Sequence, residues 1–209
     1  IIYDDEDHSD LDYLKKIIAN NNKIKLVINE KNIGAGNSRN KGITLSNGEY
    51  IAFIDSDDFW HEDKLTKQLD FIINNNFEFV FCNYEKLYKK DKKKIINSKK
   101  SLDHNELLKS CDIGLSTVLL KKKIINNISF PDLKTKEDYV FWLNLTKKKI
   151  IAQNQGEVLV SWNKVKNSLS SNIMQKIYDG FQVYYKYQKF NFFKSIFFLI
   201  RLGFNSLKK

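Results

Sequence analysis

The run Tyr50-Ile51-Ala52-Phe53-Ile54 stops abruptly at Asp55-Ser56-Asp57-Asp58. Apolar residues without alternation read as a strand covered on both faces, the habit of strands inside an α/β sheet. The carboxylates then fall at the strand's carboxyl end, and open α/β sheets bind ligands in the crevice beyond those ends. A second short apolar run, Ile1-Ile2-Tyr3, finishes the same way at Asp4-Asp5. Two strands that both end in neighbouring aspartates predict one crevice lined with carboxylates.

Helices are expected between such strands. Leu11, Leu14, Ile17 and Ile18 recur at helical spacing behind a cap at Ser9 or Asp10. Ile24–Ile28 reads as a strand, Asn32–Gly36 as a loop and Asn37–Leu45 as a helix. Asn47-Gly48 marks a turn. Lys64–Asn74 reads as a helix with Leu65, Leu69, Ile72 and Ile73 inward, followed by a strand over Phe77–Tyr84. The alternation predicts an α/β fold whose mixed, mostly parallel sheet is flanked by helices. Further on, Lys86–Lys100 is a lysine-rich hairpin or loop and Leu102–Lys109 a short helix. Ser116–Leu120 reads as a short strand, with Ser116-Thr117 either its start or part of a loop lining a ligand. Glu137-Asp138 opens an aromatic helix through Thr146, Ile150–Trp162 is β-like, and Lys164–Asn172 is a polar loop. From Ile173 onward the chain is helical and rich in Tyr, Phe and Lys, so a domain over 1–172 with a helical tail over 173–209 is expected.

Charge narrows the partners. Lys and Arg number 35 against 25 Asp and Glu, a net +10 in 209 residues, yet only Arg39 and Arg201 are arginines. A basic chain suits an anionic partner. The scarcity of guanidinium forks argues against nucleic acid. Carboxylates clustered in such a chain are costly unless a cation or hydrogen-bonding ligand compensates. Mg²⁺ and similar hard ions take oxygen ligands and keep waters or substrate phosphates. One or two aspartates completed by a diphosphate is therefore the expected site. The competing reading for Asp58 is a cap on a helix beginning near Trp60.

Other signals are weaker. Gly34-Ala35-Gly36 lacks the third glycine and the downstream acid of a dinucleotide fingerprint. His8, His61 and His104 stand alone, which disfavours zinc, and Cys82 and Cys111 read as reduced core residues of a cytoplasmic protein. No apolar run approaches the roughly 18–20 residues of a membrane span.

Several segments together carry a resemblance: NIGAGNSRNKGI at 32–43, GEYIAFIDSDDFW at 48–60, KLTKQ at 64–68, EDYVFWL at 137–143 and SLSS at 168–171. In this order and spacing, from residue 1 to about 172, the chain resembles family 2 glycosyltransferases of the GT-A (Rossmann-like, nucleotide-diphospho-sugar transferase) fold. The resemblance implies an inverting transfer from a nucleotide-sugar, a UDP-sugar first, to a glycan or lipid-linked acceptor in bacterial surface polysaccharide or lipooligosaccharide synthesis. Asp5, with Asp4 beside it, would face the base, and Arg39 would lie near the base or diphosphate. Asp55 would meet the ribose or sugar, or join Asp57 in holding Mn²⁺ or Mg²⁺ across the diphosphate. Asp138 would be the general base, with Glu137 the second candidate. Trp162-Asn163 stands where the family has Tyr-Arg, so Lys164 would supply the missing charge near the diphosphate. The family's usual first strand precedes the Asp4-Asp5 strand, so an N-terminally incomplete domain is expected, and an inactive remnant acting as a binding module is the rival reading. A nucleotidyltransferase would need a phosphate loop near the start, and none is visible.

The end of the chain carries its own expectation. From Tyr184 onward there is no acidic residue, and Lys186, Lys189, Lys194, Arg201, Lys208 and Lys209 interleave with phenylalanines. This suits a helix lying on an anionic membrane, which the resemblance implies would be the inner face of the cytoplasmic membrane. The alternative is a helix packing its aromatics on the catalytic domain. RNA binding through lysines and aromatics ranks behind both.

Overall fold

A computed structural model describes residues 1–88, 92–163 and 172–207. Lys164 and the SLSS segment at 168–171 lie outside them, as do Lys208 and Lys209. Strand β1 (Ile2–Tyr3) pairs in parallel with β2 (Val27–Ile28), with α1 (Leu11–Ile18) between them in sequence. Helix α2 (Ala35–Leu45) leads into β3 (Tyr50–Ala52), β4 (Phe59–Trp60) and α3 (Lys64–Asn74). The long strand β5 (Phe79–Leu87) turns back into β6 (Lys93–Ile96) and is followed by β7 (Ser101–Leu102) and α4 (His104–Leu107). Then come β8 (Leu119–Lys121), α5 (Glu137–Lys147) and β9 (Ala152–Asn163). The chain closes with α6 (Ile173–Gln182), a π-helical turn over Val183–Tyr187, and α7 (Phe192–Leu207).

The main sheet runs β3-β8-β5-β9-β4, with β6 added to β5 and β7 to β9. The mixed α/β class is as expected, but the sheet is not mostly parallel. Among the described pairs only β1–β2 and β5–β9 are parallel. Of the antiparallel pairs only β5–β6 is joined by a short connection; β3–β8, β5–β8, β4–β9 and β7–β9 join strands distant in sequence, so the order of elements along the chain does not announce their direction.

Two elements organise the core. Phe79, Val80, Phe81 and Cys82 of β5 are buried on both faces. Helix α5 is apolar all round and buried, from Tyr139 through Leu143, and Trp142 and Phe141 are core residues as expected. Phe130 stacks on Phe141 with ring centroids 4.1 Å apart, and Phe53 meets Phe130 edge-on at 5.4 Å. Val183, Tyr184 and Leu202 of the C-terminal helices belong to the same buried cluster as α5. The tail therefore packs on the domain. Neither cysteine is in a disulfide.

Two expectations fail in detail. In α3 the inward residues are Lys64, Gln68 and Ile72, whereas Leu65, Leu69 and Ile73 are exposed. Hydrogen bonding turns the helix: the buried Gln68 amide donates to Thr117 O at 2.8 Å and accepts from Lys64 Nζ at 2.7 Å. The Lys64 ammonium also lies 4.2 Å from the Trp60 ring centre, and burial pulls its pKa down to about 8. In β3 the strand ends at Ala52, and Ile54 is exposed at the crevice instead of covered.

Candidate active site

Helix α2 joins the two strand ends. Its first turn starts from Gly34, whose φ of 84° is a left-handed conformation that glycine adopts without strain. The Asp4 carboxylate, just past β1, accepts from the Ile33 and Gly34 amides, each at 2.9 Å, and from the Asn29 side chain at 2.7 Å. A Cβ on Gly36 would stand 2.7 Å from Pro131 O, so only glycine permits this approach. One turn later, the Asn40 amide donates to Phe130 O at 2.9 Å and accepts from Phe130 N–H at 2.8 Å. Gly36 and Asn40 thus bring α2 against the segment that leads into α5.

Arg39 bridges the gap so formed. Its Nη2 donates to Asp55 Oδ1 at 2.8 Å and its Nη1 to Glu137 Oε1 at 2.5 Å. The guanidinium also lies 5.6 Å from the Phe130 ring centre. Burial disfavours the charge on Arg39, but the two carboxylates more than offset that and raise its pKa. One arginine therefore ties the end of β3 to the start of α5.

The acidic loop after β3 is held from the other side. Ser116 Oγ donates to Asp58 Oδ2 at 2.6 Å and accepts from the Asp55 backbone N–H at 3.0 Å. Ser116 lies in a 3₁₀ turn over Leu115–Thr117, and Trp60 Nε1 donates to its carbonyl at 2.8 Å. Asp58 is not a helix cap, because α3 begins only at Lys64 with Asp63 at its N-cap. It is buried, its Oδ1 meets no partner among the described residues, and burial pushes its carboxyl up to about 6. Asp57 is half-buried and has no ion-pair partner among the described residues.

At the α5 N-terminus the helix dipole favours negative charge. Glu137 is buried against Arg39; burial and the Asp138 charge raise its pKa, with Arg39 opposing. Asp138 is half-buried and accepts from the Tyr139 N–H at 2.7 Å. Burial raises its pKa as well. A half-buried carboxylate poised above its ordinary range is equipped to take a proton near neutral pH.

Among the described residues no three His, Cys, Asp or Glu side chains form a metal cage. Asp55 and Asp57, two residues apart and both half-buried, offer the oxygen chemistry of a hard divalent ion whose shell is otherwise water and diphosphate.

The structure brings together Arg39, Asp55, Glu137 and Asp138, and ties Asp4 to them through α2. Asp5 is exposed past β1, its Oδ1 accepting from the Asp7 N–H at 3.1 Å. Asn40 and Ser116 hold the site. Sequence reasoning offers Ser116 only as a strand start or part of a loop lining a ligand, and gives Asn40 no role; a polar residue in mid-helix is the signal that marks the latter.

A family model described as glycosyl transferase family 2 matches residues 1–128. The chain is 32% identical over 200 residues to TuaG of Bacillus subtilis, a putative teichuronic acid biosynthesis glycosyltransferase, covering 95% of this chain and 79% of that one. It is 35% identical over 174 residues to WfgD of Escherichia coli, a UDP-Glc:α-D-GlcNAc-diphosphoundecaprenol β-1,3-glucosyltransferase, covering 83% and 68%. In fold it matches S. aureus TarS 1–349 in complex with UDP-GlcNAc, with a TM-score of 0.69 at 18% identity, over 87% of this chain and 54% of that one. The chain thus spans about half of that solved protein.

Proposed function

The chain belongs to glycosyl transferase family 2, and on that premise we propose that it transfers a sugar, with inversion, from a UDP-sugar to a lipid-linked or glycan acceptor of a cell-surface polysaccharide. The observation that carries this reading is the Arg39 bridge, which sets the acidic loop of β3 beside the Glu137-Asp138 pair. The UDP donor and the diphospholipid acceptor are suggested by the named substrates of WfgD and by the UDP-GlcNAc bound to TarS.

Each carboxylate then has a task. Asp5 accepts from the uracil N–H. Asp55, fixed by Arg39 and by its own backbone bond to Ser116, faces the ribose and sugar. Asp57, with Asp55 as its neighbour, would hold Mn²⁺ or Mg²⁺, which would neutralise charge on the departing diphosphate. Asp138 takes the proton of the acceptor hydroxyl as that oxygen bonds to the anomeric carbon and the bond to the diphosphate oxygen breaks. Glu137 is committed to Arg39 and leaves the base role to its neighbour. One base and no covalent intermediate give inversion. Lys164 is proposed near the diphosphate on sequence grounds.

The C-terminal helices fit the lipid-linked acceptor. Among the described residues no helix is long and apolar enough to cross a membrane. Phe193, Phe197, Ile200 and Phe204 nevertheless lie exposed along α7, with Lys194 and Arg201 interspersed and no acid after Tyr184. That face suits the surface of an anionic membrane. Co-sedimentation with phosphatidylglycerol vesicles checks it: Phe193→Ser with Phe197→Ser should lose binding, and unchanged binding removes the claim.

The catalytic reading is tested by hydrolysis of a panel of UDP- and GDP-sugars with and without Mn²⁺. Metal-dependent turnover of a UDP-sugar is expected. No turnover with any donor would sink the reading.

A further inference from the structure

Asp179 of α6 is 1% exposed, one of the most deeply buried carboxylates described. No ion pair involves it among the described residues. Three hydrogen bonds satisfy it instead: Thr135 N–H and Thr135 Oγ–H both donate to Oδ2 at 2.9 Å, and Gln175 Nε2 donates to Oδ1 at 2.9 Å. A buried carboxylate is costly to keep, so this arrangement has to be matched closely by its donors.

What it grips matters more. Thr135 is itself buried, and the next residue, Lys136, stands at φ 69° as the N-cap of α5. A left-handed non-glycine residue is strained and holds only where its surroundings fix it. Glu137 and Asp138 follow at once. A second tie lies one turn deeper, where Tyr184 Oη meets Tyr139 Oη at 3.1 Å and donates to Leu108 O at 3.0 Å. Helix α6 is in turn seated on α7, where a Cβ on Gly180 would stand 2.8 Å from Leu199 Cδ1.

We infer that Asp179 is a positioning residue for the Glu137-Asp138 turn, so that the C-terminal helices are a built part of the active site. The catalytic half of this inference rests on Asp138 being the base. By holding Thr135 through both its amide and its hydroxyl, Asp179 sets the strained cap at Lys136 and thereby the direction of the Asp138 carboxylate. Displacing a reacting group by about 1 Å can cost on the order of a hundredfold in rate.

The test uses the whole chain carrying Asp179→Asn or Thr135→Val, with Thr135→Ser as the conservative control. It is read by amide hydrogen exchange and by UDP-glucose and UDP-GlcNAc hydrolysis in Mn²⁺. Exchange at residues 135–139 should rise about tenfold or more in Asp179→Asn and Thr135→Val, return to wild type in Thr135→Ser, and stay unchanged in β5 and β9. Turnover should fall about 10–100-fold in kcat, with KM for the donor little changed, and Thr135→Ser should restore it. Unchanged exchange at 135–139 in the valine variant overturns the inference, as does a KM that rises as far as kcat falls. If Asp179→Asn fails to fold, the valine and serine pair decides. A wild type without turnover would sink the transferase reading, while exchange at 135–139 would still decide whether the Asp179 contact holds the turn.

Discussion

Asp4-Asp5 and Asp57-Asp58 both follow strands, and in each pair the two neighbours have opposite fates. Asp4 is used up by three donors that fix the start of α2, whereas Asp5 is exposed beyond it. Asp58 is buried and gripped by Ser116, whereas Asp57 is half-buried without an ion-pair partner among the described residues. The order is reversed between the two, with the anchor first in one and second in the other. A third pair repeats the division on a helix: Glu137 is tied to Arg39, and Asp138 has no side-chain ion pair among the described residues. Each acidic doublet here has one anchored carboxylate and one without an ion-pair partner among the described residues, and the roles proposed above fall to the second.

That division can be broken most sharply at α5. Asp138→Asn is expected to lower kcat by about 10²–10⁴ while the melting temperature stays level or rises, since burial already penalises that charge. Glu137→Gln should do the reverse, losing stability because Arg39 keeps a buried charge with one carboxylate fewer. Thermal melts and hydrolysis rates on the two variants check this; equal effects on both properties would erase the distinction. Activity should also climb with pH as Asp138 ionises, with its midpoint above the ordinary carboxylate range, because burial raises that pKa.

At the β1 end the contrast is smaller. Asp4→Asn should cost about 2 kcal/mol in urea unfolding, since backbone donors lose a charged acceptor. Asp5→Asn should leave stability within about 0.5 kcal/mol and act on donor KM. A stability loss at Asp5 as large as at Asp4 would contradict the pairing seen in the structure.

At Asp58 the expected effect has the opposite sign. Its carboxyl is pushed up to about 6 in the folded chain from an ordinary value of 3.8. The folded state holds that proton more tightly, so stability from this group is lost as pH rises from about 4 through about 6. Asp58→Asn removes the loss and still accepts from Ser116. Its melting temperature at pH 7 should exceed wild type by about 2–6 °C, with the gap closing at pH 4.

The sequence is informative about the carboxylates proposed to work in the reaction and much less so about the anchors. Asp55, Asp57 and Asp138 stand out because an apolar strand and an aromatic helix run directly into them. That Arg39 belongs with them is visible only through the resemblance, since its partners lie 16 and 98 residues away. Ser116 and Asp179 act through contacts 58 and 44 residues distant, and no local pattern encodes those. Helix α3 shows the same limit. Its apolar residues Leu65, Leu69 and Ile73 have helical spacing, yet Lys64 and Gln68 face inward because Thr117 O and the Trp60 ring await them. Periodicity finds the helix, and tertiary hydrogen bonds choose its face. In the tail, composition alone fits both a packed helix and a membrane-facing one. Tyr184 and Leu202 make it packed, and the opposite side of α7 still presents its phenylalanines.

The division of labour between neighbours is tested most directly by calorimetric titration of UDP in Mn²⁺ against wild type, Asp57→Ala and Asp58→Asn. Wild type should bind UDP at least tenfold more tightly with Mn²⁺ than without, Asp57→Ala should lose that gain, and Asp58→Asn should keep it. Equal loss in the two variants, or a wild type indifferent to Mn²⁺, would contradict the account.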